Sequence, residues 1–418
     1  MVEQPALESP ESIFERRRVP LNELALFFLR LGTTAFGGPA AHIAIMEDEL
    51  VRRRRWLSRE KFLDLLGASN LIPGPSSSEL AIHIGYLCAG WKGLLIAGSC
   101  FILPAALMVA GIGWLYVRFG GLPATTGILY GIKPVVIAVV LQALWSLGRT
   151  AVKTTFLAIV AVLALVLSVL GVHPLLLLLL AGVVACMPVL RTSRGSFSLL
   201  PFLTVGGGIL ATTASFSLVS LFLVFLKLGA TVFGSGYVLL AFLRADLVTH
   251  RRWLTDAQLV DAVAVGQVTP GPVFTTATFI GFIVGGIRGA VISTMGIFLP
   301  AFLLVAVSGP LVPRIRKSKP AGAFLDGVNV ASLALMAAVT WELGRASFVD
   351  WLTVLLAVAS LIALLRYRVN SAWLVLTGAT IGLIAGFKPP FGLSSLSFAR
   401  HVVFSGLVPR SFWFWARF

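Results

Sequence analysis

The sequence predicts an all-α polytopic membrane protein built from two homologous repeats. Three observations carry this. Of 418 residues, 58% are hydrophobic and only 12% are charged, where a soluble protein carries roughly 25% charged residues. Mean hydropathy is +0.95, so the bilayer is the solvent for most of the chain. The chain also repeats itself. Arg30 to Pro75 reappears as Lys227 to Pro272 with a constant shift of 197 residues, and from Gly85/Gly281 onward the shift is 196. A long duplication in so apolar a chain points to a membrane protein built from two structural repeats, and such proteins commonly put a solute site where the repeats meet.

The elements follow in order. Residues 1–23 are polar, end near Arg16-Arg17-Arg18 and read as a cytoplasmic segment with no cleavable signal peptide. The first repeat is 24–190, the linker 191–218, the second repeat 219–387, and 388–418 an interfacial tail rich in Phe, Trp and Arg. A final short crossing near 398–416 is the less favoured reading of that tail. Apolar stretches near 93–117, 124–148, 154–170, 172–190, 219–243, 288–311, 323–345, 349–365 and 370–387 approach the ~20 residues a spanning helix needs. Segments 24–46, 62–90 and 258–285 are apolar but interrupted by polar residues, Gly or Pro. Together they predict about ten to thirteen crossings. The weakening of the basic loop from Arg52–Arg55 to Arg251-Arg252 favours inverted halves under the positive-inside rule.

The net charge of +16 sits in short runs between apolar segments, such as Arg52–Arg55 and Arg314–Lys319. That pattern orients a membrane protein and meets lipid headgroups; it offers no basic face to nucleic acid. The cysteines Cys88, Cys100 and Cys186 lie in or beside apolar segments without metal-ligand spacing. No phosphate-binding glycine loop, His-Glu-x-x-His or Gly-x-Ser-x-Gly occurs. The sequence therefore predicts no enzyme, no metal and no cofactor.

The strongest local signal is a doubled Pro-Gly-Pro. From Phe62 to Ala89 is 28 residues, about 42 Å as one helix at 1.5 Å per residue. Pro73 and Pro75 lack amide protons and disfavour helix before them, so the helix breaks around Gly74. Pro75 then starts a half-helix whose first residues Ser76, Ser77 and Ser78 present free amides and hydroxyls at a positive dipole end, an anion site. The second repeat offers Pro270, Gly271 and Pro272, preceded by Gln267 and followed by Thr275 and Thr276. A kinked helix whose loose carbonyls are met by Ser and Thr is the plainer reading.

Charges inside apolar segments come next. Arg30 and Lys227 share one repeat position and read as a cationic clamp, or as snorkelling or paired side chains. Asp64 and Asp261 match between repeats and read as loop-tethering or as coupling residues. Glu79 has no counterpart in the second repeat and is a candidate proton site, with His83 one turn on.

Several motifs now fall in order, twice. They are Phe36-Gly37-Gly38-Pro39, Trp56-Leu57, Phe62-Leu63-Asp64, Asn70-Leu71-Ile72-Pro73-Gly74-Pro75, Ile84-Gly85-Tyr86 and Leu103-Pro104-Ala105. The second set is Phe233-Gly234-Ser235-Gly236, Trp253-Leu254, Asp261, Gln267-Val268-Thr269-Pro270-Gly271-Pro272, Ile280-Gly281 and Leu299-Pro300-Ala301. From about 24 to 387 the chain resembles the chromate ion transporter (CHR) family, as a long-chain two-domain member. The resemblance implies a secondary transporter exporting chromate across the cell membrane (the inner membrane in a Gram-negative cell) and conferring resistance. Shorter members of the family are thought to pair in opposite orientation, which agrees with inverted halves. Asn70 stands where the family commonly has Gln, and Ser235 replaces the Gly found at position 38. The partners expected are chromate or a related oxyanion and the lipid bilayer, with a homo-oligomer left open. Sulfate shares the shape and charge of chromate and is the alternative cargo; an anion channel or membrane enzyme is the weaker reading.

Overall fold

The computed structural model describes residues 19–36, 38–69, 72–120, 122–192, 216–232, 238–308, 319–367, 369 and 371–387. Residues 1–18 of the predicted 1–23 segment, most of the linker, the Phe233–Gly236 motif and the tail lie outside the described residues.

The first repeat runs α1 (Leu21–Thr34), α2 (Gly38–Met46), a π-helical turn (Glu47–Arg53), α3 (Arg59–Ser69), α4 (Ser76–Phe119), α5 (Pro123–Ala151), α6 (Thr155–Val169) and α7 (Pro174–Thr192). The second runs α8 (Leu218–Thr231), α9 (Leu239–Leu243), a π-helical turn (Arg244–His250), α10 (Asp256–Val268), a 3-10 turn (Val273–Thr275), α11 (Thr276–Ser308), α12 (Lys319–Ser347), α13 (Trp351–Tyr367) and α14 (Ser371–Phe387). Among the described residues every regular element is helical, and four helices are long and apolar enough to cross a membrane. Five shorter apolar helices accompany them.

The duplication extends to the side chains that pack. Helix α1 buries Leu24, Phe27, Phe28, Leu31 and Gly32. Helix α8 buries Leu221, Val224, Phe225, Leu228 and Gly229, each 197 residues on. The spacing is one apolar stripe of a 3.6-residue period. After each π turn one arginine takes positive φ, Arg55 at 53° and Arg252 at 54°. Arg54 then lies over the ring of Trp56, and Arg251 over that of Trp253.

Helix α4 is 44 residues long, which as a rod would be about 66 Å. It is a hairpin instead. Ala89 and Gly90 leave helical geometry, and Gly90 adopts φ 61°, ψ −147°, a conformation open essentially to glycine. The short arm, 76–88, folds back on the long arm, 91–119, so that a methyl on Gly85 would strike the Gly93 carbonyl and Ala97. Helix α11 turns the same way at Gly285-Gly286, with Gly281 against Gly289 and Thr278 Oγ1 2.7 Å from Thr294 Oγ1. The predicted interruption of 24–46 is present between α1 and α2. The expectation of one uninterrupted span over 219–243 is corrected: α8 ends at Thr231, Val232 is extended, and α9 begins only at Leu239. Val232 is needed elsewhere, as an acceptor for the opposite repeat.

Equivalent helices of the two repeats run antiparallel. Tyr130, early in α5, donates to Asp350 beyond the end of α12, at 2.5 Å; Asp326, early in α12, pairs with Lys153 beyond the end of α5, at 2.7 Å. Tyr130 and Asp326 are the same repeat position. The α4 and α11 long arms cross likewise, with Gly98 against Phe302 and Ile72, Leu94, Ala301 and Val305 in one cluster. Helices α5 and α14 touch through Gly131 and Gly378, and α12 and α7 touch through Gly327 and Ala181. Reciprocal contacts between antiparallel equivalents define a pseudo-twofold axis perpendicular to the spanning helices. The repeats are therefore inverted, and the largest apolar core draws residues from both.

Candidate substrate site at the paired helix breaks

Both Pro-Gly-Pro segments are breaks, as their chemistry requires. Helix α3 stops at Ser69, and α4 begins at Ser76 with Pro75 as its N-cap. Helix α10 stops at Val268, and Pro272 leads into the 3-10 turn. Gly74 (φ 139°) and Gly271 (φ 89°) carry the left-handed backbone that each break needs.

Each break is tied to the other repeat. The Gly74 amide donates to the Val232 carbonyl at 2.7 Å, and the Gly271 amide donates to the Ala35 carbonyl at 3.0 Å. Ala35 and Val232 are repeat equivalents, the first extended residues after α1 and α8. Both breaks also flank the α4–α11 crossing. Ile72 packs with Ala301, and a methyl on Gly271 would meet Ala105 and the Gly32 carbonyl. They are therefore interior to the protein, around one axis.

The two half-helix starts differ chemically. In the first, Ser76, Ser77, Ser78 and Glu79 are all buried. Ser77 Oγ lies 3.4 Å from Nδ1 of His42, whose Nε2 lies 3.2 Å from the Ala35 carbonyl. Ser78 Oγ, both carboxylate oxygens of Glu79 and Nε2 of His83 are buried without a hydrogen-bond partner among the described residues. In the second, Thr275 and Thr276 donate their hydroxyl protons to the Pro272 and Val273 carbonyls at 2.7 and 2.8 Å. Both hydroxyl protons are thus spent on carbonyls of the break itself, and the Thr275 amide also donates to the Pro272 carbonyl, at 3.0 Å. Gln267 and Thr276 line a small cleft with Leu239, Leu240, Leu243, Val263 and Val273. Leu239 stands where the first repeat has His42.

The structure separates the predicted cations. Lys227 is held by Asp246 at 2.8 Å. Arg30 is exposed on α1 and makes no ion pair among the described residues. Asp64 is half-buried on α3. The equivalent of Asp246, Glu49, is taken by Arg54 at 2.9 Å. Asp261 is buried at 3% exposure, and binds across the repeats: Lys133 of α5 lies 3.1 Å from one oxygen, and Tyr116 of α4 donates to the other at 2.9 Å.

Sequence reasoning missed His42, Lys133 and Tyr116. Lys133, a cation inside an apolar segment just before Pro134, was the legible signal. Its counterpart is Asn329, so the position escapes a search for matched charges. His42 escapes in the same way, because the repeat partner is leucine.

Inverted helical repeats, helices broken at equivalent places and polar groups buried at the repeat interface define a multi-pass membrane transporter. The sequence profile of the chromate transporter family ("Chromate transporter") matches residues 22–186 and again 219–383. The chain belongs to that family. It is 36% identical over 374 residues to the chromate transport protein of Cupriavidus metallidurans, covering 87% of this chain and 93% of that one. It is 33% identical to a probable chromate transport protein of Synechococcus elongatus, over 82% and 89% of the two chains. It is 32% identical to a chromate transport protein of Pseudomonas aeruginosa, over 78% and 82%. No solved structure matches the chain. The protein is a transporter, not an enzyme.

Proposed function

We propose that the protein exports chromate across the cell membrane as a secondary transporter, binding the oxyanion where the two helix breaks meet the pseudo-twofold axis. The reciprocal bonds Gly74 to Val232 and Gly271 to Ala35 carry the reading. They hold two half-helix starts inside the protein, each with amides and a positive dipole end suited to an anion. Chromate as cargo is supported by the relatives of nearly full length. The Ser78 hydroxyl and the Ser77 amide serve the dianion from the first repeat, and the Val273 and Phe274 amides serve it from the second; the Ser78 and Thr275 amides are spent on the Pro75 and Pro272 carbonyls. Arg30 supplies approach charge, because Lys227 is occupied by Asp246. With the cell interior negative, outward movement of an anion is favoured by about 2.3 kcal/mol per charge per 100 mV. The membrane potential is therefore a sufficient driving force for export.

The test is chromate uptake into inverted membrane vesicles. Pro75→Ala and Ser78→Ala are expected to lose most of the uptake with wild-type protein levels, and sulfate in excess reports whether the site separates the two oxyanions. Wild-type rates in both variants overturn the site.

A further inference from the structure

Resting on the site proposed above, we propose that Glu79 is a built-in anion of the first helix break, and that the oxyanion occupies this break only when Glu79 takes up a proton.

Three observations lead there. Glu79 is completely buried (0% exposed), and neither carboxylate oxygen has a hydrogen-bond partner among the described residues. The two other buried acids among the described residues are answered: Asp246 by Lys227, and Asp261 by Lys133 and Tyr116. Second, the Glu79 carboxyl is folded back over the start of its own helix. A methyl on Gly74 would collide with Oε1 of Glu79, so the carboxyl lies against the break itself. The Glu79 amide donates to the Pro75 carbonyl at 3.0 Å, which fixes the residue in the first turn. Third, the arrangement is one-sided. The residue matching Glu79 at a shift of 196 is Thr275, whose hydroxyl is spent on Pro272.

A helix start carries only about half a positive charge, too little to offset a carboxylate and a dianion together. A carboxylate against the break and a dianion on the adjoining amides repel each other in an interior with little water, and like charges at a shared site drive one of them to protonate. Among the described residues no neighbouring cation relieves this. On the same helix the nearest ionisable group is His83, one turn on. On the elements packed against it, His42 of α2 is engaged by Ser77 and Ala35. Lys227 of α8 is engaged by Asp246, and Asp261 of α10 by Lys133. Arg30 of α1, Arg59 of α3 and Arg288 of α11 are exposed, and Asp64 of α3 is half-buried and acidic. The balance is a simple protonation: one proton leaves solvent, binds a Glu79 oxygen and travels with the oxyanion. Each dianion then moves one net negative charge.

The test uses the purified full-length transporter and chromate above about pH 8, where the ligand stays a dianion. Where Glu79 is ionised in the empty site, one linked proton weakens wild-type affinity by about tenfold per pH unit. Chromate added to weakly buffered protein takes up about one proton per bound dianion. Glu79→Gln, isosteric and neutral, is expected to bind with no pH dependence and no proton uptake, while Glu79→Asp keeps both. A flat wild-type profile without proton uptake overturns the inference, as does a Glu79→Gln protein that keeps the slope. Ser78→Ala and Pro75→Ala separate the two readings. If they weaken binding while the wild-type profile is flat, the proton role alone fails; if they leave binding unchanged, the site fails.

Discussion

Lys133 and Asp261 show how much a single residue decides here. Their side chains are 21% and 4% exposed, so the pair is largely removed from water. Removing one partner strands a buried charge, which costs about 3–5 kcal/mol. Lys133→Met is therefore expected to lower thermal stability in detergent markedly, and Asp261→Asn added to it to restore most of the loss. A double-mutant cycle on unfolding temperature checks this; independent, additive losses would refute the pairing. Glycines give a second residue-scale contrast. Gly90 has open space around its α-carbon but sits at φ 61°, where an alanine is strained by about 1–3 kcal/mol. Gly148 has the same open space inside α5 and no such φ. Gly148→Ala is expected to be neutral or stabilising by up to ~1 kcal/mol, and Gly90→Ala destabilising, in the same unfolding assay.

At the scale of elements, the helical hairpins matter most. Each folds because small residues let two arms approach: Gly85 on Gly93, and Gly281 on Gly289. Close approach of small residues is the usual source of helix affinity in lipid. Gly85→Leu and Gly281→Leu each force one pair of arms apart. Both are expected to abolish chromate transport and to shift the protein toward aggregation in size-exclusion chromatography, because each hairpin carries one helix break. The breaks themselves were legible, since Pro-Gly-Pro at matched positions has one physical outcome. The contrast between their half-helices was only partly legible. The lone Glu79 could be read, but the capture of Thr275 and Thr276 by backbone carbonyls depends on the local 3-10 turn. The 219–243 segment was misread for a related reason: its hydropathy is continuous, whereas its backbone is interrupted to present the Val232 carbonyl to Gly74.

For the whole molecule, the antiparallel pairing of α5 with α12 and of α4 with α11 makes the two repeats opposite in orientation. Single cysteines placed at Arg53 and at Arg252 are expected to label from opposite sides of the membrane with an impermeant thiol reagent. Labelling from one side would require parallel halves and would contradict the Tyr130–Asp350 and Lys153–Asp326 pairs. Inversion also gives the asymmetry a meaning. His42, Glu79 and His83 lie in one repeat, opposite Leu239, Thr275 and Phe279 in the other, so the two halves present different chemistry around one axis.

The amino-acid sequence by itself determined the helical membrane class, the duplication, the two breaks and the family. Those properties follow from hydropathy, from proline's missing amide and from matched motifs, all of which are local or periodic. The basic loops already favoured inverted halves, and tertiary contacts such as Tyr130–Asp350 and Lys153–Asp326 fixed that relation; tertiary structure alone decided the exchange of Gly74 and Gly271 amides between the halves. It also decided which charges are neutralised, Lys227 by Asp246 and Asp261 by Lys133, and that Glu79 has no hydrogen-bond partner among the described residues. Pairing depends on which side chains meet in space, and a periodic pattern along the chain carries no record of that.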